Sequence, residues 1–264
     1  MYGLKDKVAY VTGAAMGNGL GITEALAKHG SKVIMVDINN EVFKAAKRMK
    51  DDGFDVFAIK ADVTKISEIQ DSVKESIEIY KKIDILVNNA GVAKLKKFIN
   101  MTNELRDFHF DVNLFGVWDC CKVIVPFMIR QKYGKIIMIS SVTGPYVSDF
   151  GLSAYGTTKA ALIGLTKSLA LELAEFNINV NAICPGYIDT PSTYNTALQV
   201  DKNNPEKVIR NIIKNIPIGR VGKPSDIGEL VSFLASENSS FITGSSIIVD
   251  GGTMLPETKA IVGL

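Results

Sequence analysis

The chain is predicted to fold as an α/β protein, a doubly wound parallel sheet of seven strands flanked by helices, and three features carry that expectation. Short β-branched runs alternate with longer amphipathic stretches along its length, the mark of successive strand–helix–strand units. A glycine cluster follows the first run directly, where a strand must turn into a helix. No linker, low-complexity stretch or solenoid repeat interrupts the rhythm, so residues 1–264 read as a single domain.

Strands are expected at 7–12, 32–36, 55–59, 84–87, 134–140, 178–183 and 246–249, and helices at 18–29, 40–52, 65–81, 102–131, 154–176 and 225–236. Gly30 and Gly53 stand where helices should end, and Pro224-Ser225 where one should start. Pro185 to Pro217 is far longer than the usual connection of ~2 to 6 residues. Residues 187–217 are therefore expected to form a substrate lid. Within it Pro205 precedes Val208, Ile209, Ile212, Ile213 and Ile216, which have the 3, 4 spacing of an amphipathic helix. That face either roofs an apolar pocket with Tyr146, Tyr187, Tyr194 and Leu198 or packs on the sheet.

Composition narrows the function. With 47% hydrophobic and 22% charged residues the chain is ordinary globular material, and disorder is excluded. The net charge of +2 comes from 30 basic and 28 acidic residues without a long run of one sign, so no nucleic-acid footprint appears. Cys120, Cys121 and Cys184 lack metal-ligand spacing and leave an odd count, which fits core thiols in a reduced, cytoplasmic chain. No run approaches the ~20 apolar residues of a membrane span, so no membrane partner is expected. His29 and His109 fall in helical patterns and read as structural, leaving no metal site.

Gly13, Met16, Gly17, Asn18 and Gly19 close the first strand and open the first helix. Helix N-termini present free N–H groups and a positive dipole end to a pyrophosphate, and glycine lets the backbone come close. A glycine turn alone is weak evidence; Asp37, ending the second strand about 20 residues on, strengthens it. A carboxylate there accepts hydrogen bonds from an adenosine ribose and repels a 2′-phosphate. Ile38, Asn39, Asn40 and Met16 supply no compensating cation, so NAD(H) is the expected cofactor.

Tyr155 and Lys159 are four residues apart and so share one face of a helix. A phenol with an ordinary pKa of ~10 is a poor base, and a nearby ammonium stabilises its phenolate. A surface Tyr and Lys spaced so by chance is the bland alternative.

Taken in order, Thr12-Gly13-x-x-x-Gly17-x-Gly19, Asp62-Val63, Asn88-Asn89-Ala90-Gly91, Asn113, Ser140-Ser141, Tyr155-x-x-x-Lys159 and Pro185-Gly186-x-x-x-Thr190 resemble the short-chain dehydrogenase/reductase family from end to end. The runs 141–144, 166–170, 181–187 and 255–258 are similar to one bacterial branch of it. The resemblance implies a Rossmann fold and hydride transfer between a nicotinamide and a carbon bearing a secondary alcohol or ketone. It implies that Tyr155 is the acid/base, that Lys159 lowers its pKa and binds the nicotinamide ribose, that Asn113 holds a water, and that Ser141 binds the substrate oxygen. Asp62 and Val63 would meet the adenine, Asn89, Ala90 and Gly91 would line the cofactor cleft, and Pro185, Gly186, Ile188 and Thr190 would hold the carboxamide end. Adjacent strand residues face opposite ways, so Ser140 and Ser141 cannot both reach the substrate. Asn18 replaces a usual apolar residue, and the Ser141–Tyr155 interval is about one residue long for the family.

The small-molecule substrate stays open among hydroxysteroids, polyols and small diketones. A non-catalytic NAD-sensing regulator is the alternative from another class, and retention of Tyr155 and Lys159 speaks against it. Phe108, Phe115, Trp118 and Val125 in the 102–131 segment point to a homo-oligomer, which the family resemblance extends to a dimer or homotetramer.

Overall fold

The computed structural model describes residues 2–255. Of the tail motif, Pro256, Glu257 and Thr258 lie outside these. Seven parallel strands, β1 (Val8–Thr12), β2 (Lys32–Asp37), β3 (Val56–Lys60), β4 (Ile85–Asn88), β5 (Gly134–Ile139), β6 (Ile178–Pro185) and β7 (Ser246–Val249), form one sheet in the order β3-β2-β1-β4-β5-β6-β7. Order reverses between β1 and β4, the point where open α/β sheets hold their ligands at the carboxyl ends of the strands.

Alternation along β1 shows why both sheet faces are covered. Ala9 and Val11 enter one buried cluster, with Met35, Ile22 and Val231, whereas Val8 and Tyr10 enter the other, with Leu86, Ile124 and Leu162. The first cluster lies under helices α1 (Gly17–Lys28), α2 (Glu41–Asp51) and α9 (Pro224–Leu234). The second lies under α3 (Ile66–Tyr80), α5 (Gly116–Gln131) and α6 (Ser153–Leu173). Gly30 and Gly53 take φ of +95° and +88° just past α1 and α2, the left-handed conformation that stops a helix. All three cysteines are free and buried.

Three segments depart from expectation. Residues 102–131 are not one regular helix: α4 (Asn103–Phe110), capped by Thr102 accepting from Leu105 N, meets α5 through a π turn, Asp111–Phe115. The 29 residues together are long and apolar enough, by length and composition, to cross a membrane. Their Val117, Cys120, Cys121, Ile124 and Met128 face is instead buried in the domain.

The lid segment holds two helices rather than one. Weak periodicity conceals α7 (Pro191–Val200), which Thr190 starts by accepting from Thr193 N at 3.3 Å, with Pro191 in the first turn. The amphipathic pattern becomes α8 (Pro205–Lys214), capped by Asn204 accepting from Lys207 N at 3.0 Å. It packs on α7 and buries no residue of its own, so neither the roof nor the sheet-packing expectation describes it fully. Finally, Ser140 lies just beyond β5, and β6 extends to Pro185.

Candidate active site

The nucleotide end is built on contacts from β1 to its neighbours. Thr12 Oγ1 accepts from Asn89 N and Ala90 N, both at 3.0 Å, and Asn89 Nδ2 donates to the carbonyls of Thr12 and Gly13 at 2.9 and 3.1 Å. Asn89 therefore braces the glycine loop from behind. Side chains are excluded at that loop: a Cβ on Gly13 would stand 2.9 Å from Ala90 Cα, and one on Gly19 1.9 Å from Gly13 O. Gly13 and Gly17 have φ of +64° and +55°.

These residues fit a dinucleotide. Met16 at the N-cap of α1 provides no side-chain acceptor and the first turn holds no acidic residue, so its N–H groups face an anion site uncapped. Asn18 Oδ1 is buried without a partner beside them. Asp37, the last residue of β2, accepts from Ala15 N (2.9 Å) through Oδ2 and from Asn39 N (2.8 Å) through Oδ1. The carboxylate thus ties the glycine loop to β2 and keeps lone pairs spare. Ile38 beside it is exposed.

Asp62 lies at the entry to α3, where Oδ1 accepts from Thr64 N and Thr64 Oγ1 at 2.9 and 2.8 Å. Val63 packs against the start of α5, since a Cβ on Gly116 would come within 2.9 Å of Val63 O. Across the cleft, Gly186 N donates to Val249 O at 2.9 Å, directly after Pro185. The Ile188 side chain is buried in the core, its carbonyl accepts from Thr193 Oγ1 at 2.6 Å, and the Thr190 hydroxyl is engaged in capping α7. A Cβ on Gly17 would sit 3.3 Å from the Thr190 side chain, so the glycine loop and the 185–190 segment face each other.

The polar end gathers Asn113, Ser141, Tyr155 and Lys159 from three separate stretches. Tyr155 and Lys159 lie on the first turns of α6, with the ammonium 5.7 Å from the phenol ring centre. Burial pushes the Tyr155 hydroxyl's pKa up; a hydrogen bond with Ser141 opposes this, and the negative charge of Asp149 adds to it. Burial lowers Lys159 to about 8, against a small opposing influence of the Cys184 thiol. Its Nζ donates to Ile139 O at 2.7 Å, so in this structure Ser141, and not Lys159, is the neighbour that favours the phenolate. A Cβ on Gly91 would be 3.4 Å from both Lys159 Nζ and Asn113 Oδ1.

The two serines, which follow β5, turn to different partners. Ser140 Oγ donates to Lys159 O at 2.8 Å and holds α6 to β5, whereas Ser141 Oγ accepts from Thr143 N at 3.1 Å and meets Tyr155. Asn113, fully buried in the π turn, accepts from Val92 N (2.8 Å) and donates to Val92 O (2.9 Å) and Thr158 Oγ1 (3.2 Å). His109 Nε2 accepts from Lys94 N at 3.1 Å in the same loop, and His29 pairs with Glu229 at 2.9 Å. Among the described residues no group of three or more His, Cys, Asp or Glu could hold a metal ion.

Sequence reasoning missed Thr143 and Asp149. Thr143 Oγ1 donates to Asp149 Oδ2, and the Tyr187 hydroxyl donates to Asp149 Oδ1 at 3.5 Å. The only signal in the chain was a lone carboxylate inside the lengthened interval before Tyr155. Of the expected pocket aromatics, Tyr146 turns to Ser246 Oγ (2.6 Å) and Tyr194 is exposed.

Comparison with known proteins bears on this arrangement. The family model described as enoyl-(acyl carrier protein) reductase matches residues 13–254. Oxidoreductase UcpA of Salmonella typhimurium is 46% identical over 258 residues, 98% of each chain. Levodione reductase superposes with a TM-score of 0.91 at 30% identity, over 95% of this chain and 98% of its own. Aldohexose dehydrogenase of Thermoplasma acidophilum does so at 0.88 and 38%, over 97% and 96%. With the sheet order, the glycine loop and the Tyr155–Lys159 helix already in place, these matches show that the chain is an oxidoreductase of the short-chain dehydrogenase/reductase family.

Proposed function

We propose that the protein transfers hydride between NAD(H) and a secondary alcohol or ketone. The observation that carries this reading is the Tyr155 hydroxyl next to Ser141 at the carboxyl end of β5, with Lys159 one helical turn away and its ammonium 5.7 Å from the phenol ring centre. A bound nicotinamide supplies or accepts the hydride. Tyr155 gives its proton to the carbonyl oxygen in reduction and takes it from the alcohol in oxidation. Ser141 holds that oxygen, Lys159 grips the nicotinamide ribose and, once turned from Ile139 O, stabilises the phenolate, and Asn113 anchors a water on the proton route. Gly13, Met16, Gly17, Asn18 and Gly19 hold the pyrophosphate, Asp62 and Val63 the adenine, and Ala90, Gly91, Pro185, Gly186, Ile188 and Thr190 the rest of the cofactor, with Asn89 bracing the loop. Residues 1–264 act as one cytoplasmic domain with α7 and α8 as its lid, in a homo-oligomer.

NAD(H) follows from Asp37. A 2′-phosphate ~4 Å from its carboxylate meets a repulsion of about 1 kcal/mol at water's dielectric and several times that when partly screened from water. At 1.4 kcal/mol per tenfold, a preference of at least ~30-fold in kcat/KM for NADH over NADPH is expected. Asp37→Ala should collapse that ratio; an unchanged ratio would remove Asp37 from the account. A hydroxysteroid suits the apolar Tyr187, Tyr194 and Leu198 surroundings. The second reading takes a polyol or small diketone, and of these a polyol, whose hydroxyls can donate, is favoured by the Asp149 carboxylate that Thr143 joins to Ser141.

A further inference from the structure

A hydrogen-bonded chain runs from Ser141, next to the acid/base group, through Thr143 and Asp149 to Tyr187. Ser141 Oγ, next to the Tyr155 hydroxyl, accepts from Thr143 N, Thr143 Oγ1 donates to Asp149, and Asp149 accepts from Tyr187. Its Asp149 link is the unusual one. A carboxylate offers about four lone-pair sites, and among the described residues this one accepts two side-chain hydrogen bonds, one of them stretched to 3.5 Å. No Lys, Arg or His pairs with it among the described residues.

Partly buried carboxylates with unfilled acceptor sites are costly, and they attract donors. Thr143 and Tyr187 occupy two sides of the carboxylate. Asp149 also acts on the Tyr155 hydroxyl electrostatically, and Thr143 joins it by hydrogen bonds to Ser141 at the reacting end. Its backbone is held as well: Leu152 N donates to Asp149 O, and Lys96 N to Gly151 O at 2.8 Å, fastening this loop to the 92–98 loop.

We infer that Asp149 determines specificity by accepting a hydrogen bond from a second substrate hydroxyl near the reacting carbon, so that the site selects polyols and hydroxy ketones over mono-alcohols. This rests on the hydride-transfer reading above for its chemistry but not for its binding. A substrate hydroxyl supplies the donor that the carboxylate lacks, whereas a mono-alcohol leaves it unfilled. Tyr187 reports on the site without completing it, since its own bond is long.

The test compares cyclohexanol with 1,2- and 1,3-cyclohexanediol in wild type, Asp149→Asn, Asp149→Ala and Tyr187→Phe. Each alcohol is titrated calorimetrically into enzyme saturated with whichever reduced nicotinamide dinucleotide it binds, a pairing that cannot react. Oxidation is measured separately by kcat/KM. Wild type should favour a diol by ~10- to 100-fold in both measurements, as expected for one hydrogen bond to a charged acceptor. Asp149→Ala should erase the ratio, Asp149→Asn should leave it intermediate, and Tyr187→Phe should preserve it. Equal binding of diols and cyclohexanol by wild type, or a ratio that survives in Asp149→Ala, would overturn the assignment. So would the same collapse in Tyr187→Phe, which would make pocket shape the cause. Diol-selective binding lost in Asp149→Ala, with no turnover of any alcohol, would sustain Asp149 and overturn the hydride-transfer reading instead.

Discussion

Lys159 keeps its ammonium where burial opposes a charge, which lowers its pKa from the ordinary 10.5 to about 8. Below pH 8 both folded and unfolded chains carry the proton, and the folded state bears the full desolvation cost. Between pH 8 and 10.5 the unfolded chain binds more protons, so this contribution to stability rises with pH. At 1.36 kcal/mol per pH unit the change amounts to about 3 kcal/mol. Denaturant unfolding of the cofactor-free protein should therefore show wild type gaining ~2 to 3 kcal/mol on Lys159→Met between those pH values. A constant difference would mean that the ammonium is solvated. At the neighbouring position, Tyr155→Phe keeps the ring and removes the proton. Turnover should fall by ~10² to 10⁴ while nicotinamide binding, followed by fluorescence, persists; a variant with half the wild-type rate would remove Tyr155 from the acid/base role.

Helices α1 and α9 show how an element's sequence can be set by its neighbour. A Cβ on Gly228 of α9 would stand 2.6 Å from Gly21 O and 2.7 Å from Ala25 Cβ, and one on Gly21 2.4 Å from Pro224 Cβ. Helix propensity alone would reward Gly228→Ala by ~1 kcal/mol, but overpacking costs about 1 to 3 kcal/mol. The backbone carbonyl of α1 cannot swing aside as a side chain would, so packing should win. A net loss of about 1 to 2 kcal/mol is expected in chemical denaturation; a stabilised variant would show that the helices part easily. The π turn before α5 is a comparable device, since its extra residue sets Asn113 facing Val92 and Thr158.

Across the whole molecule, the α4–α5 side presents apolar surface that the single chain does not cover. Phe108, Phe115 and Trp118 are 38, 54 and 53% exposed, and a groove of about 350 Å³ between α3 and α5 is lined by Val73, Ile77, Val123 and Phe127. Val125, like Val123 and Phe127, is partly buried against the core. Sedimentation at micromolar concentration should give a dimer or larger species, and Trp118→Glu should shift it toward monomer; a wild-type monomer would contradict the oligomer.

Order of strands and helices, the parallel sheet and the glycine turn were legible in the chain because each rests on local spacing: period two or 3.6, and glycine where φ turns positive. Tyr155 and Lys159 were legible as a pair for the same reason, one helical turn being a property of sequence distance. Other features were decided only by packing. Ser140 turns to the Lys159 carbonyl, the Lys159 ammonium to Ile139 O, and Asp149 to Thr143 and Tyr187. Helix α7 arises from a Thr190 cap and a proline rather than from apolar periodicity. Hydrogen-bond partners 19, 20 and 38 residues apart leave no periodic trace in a chain. Desolvation, which sets the charge state of Lys159, exists only once the surrounding atoms have displaced water.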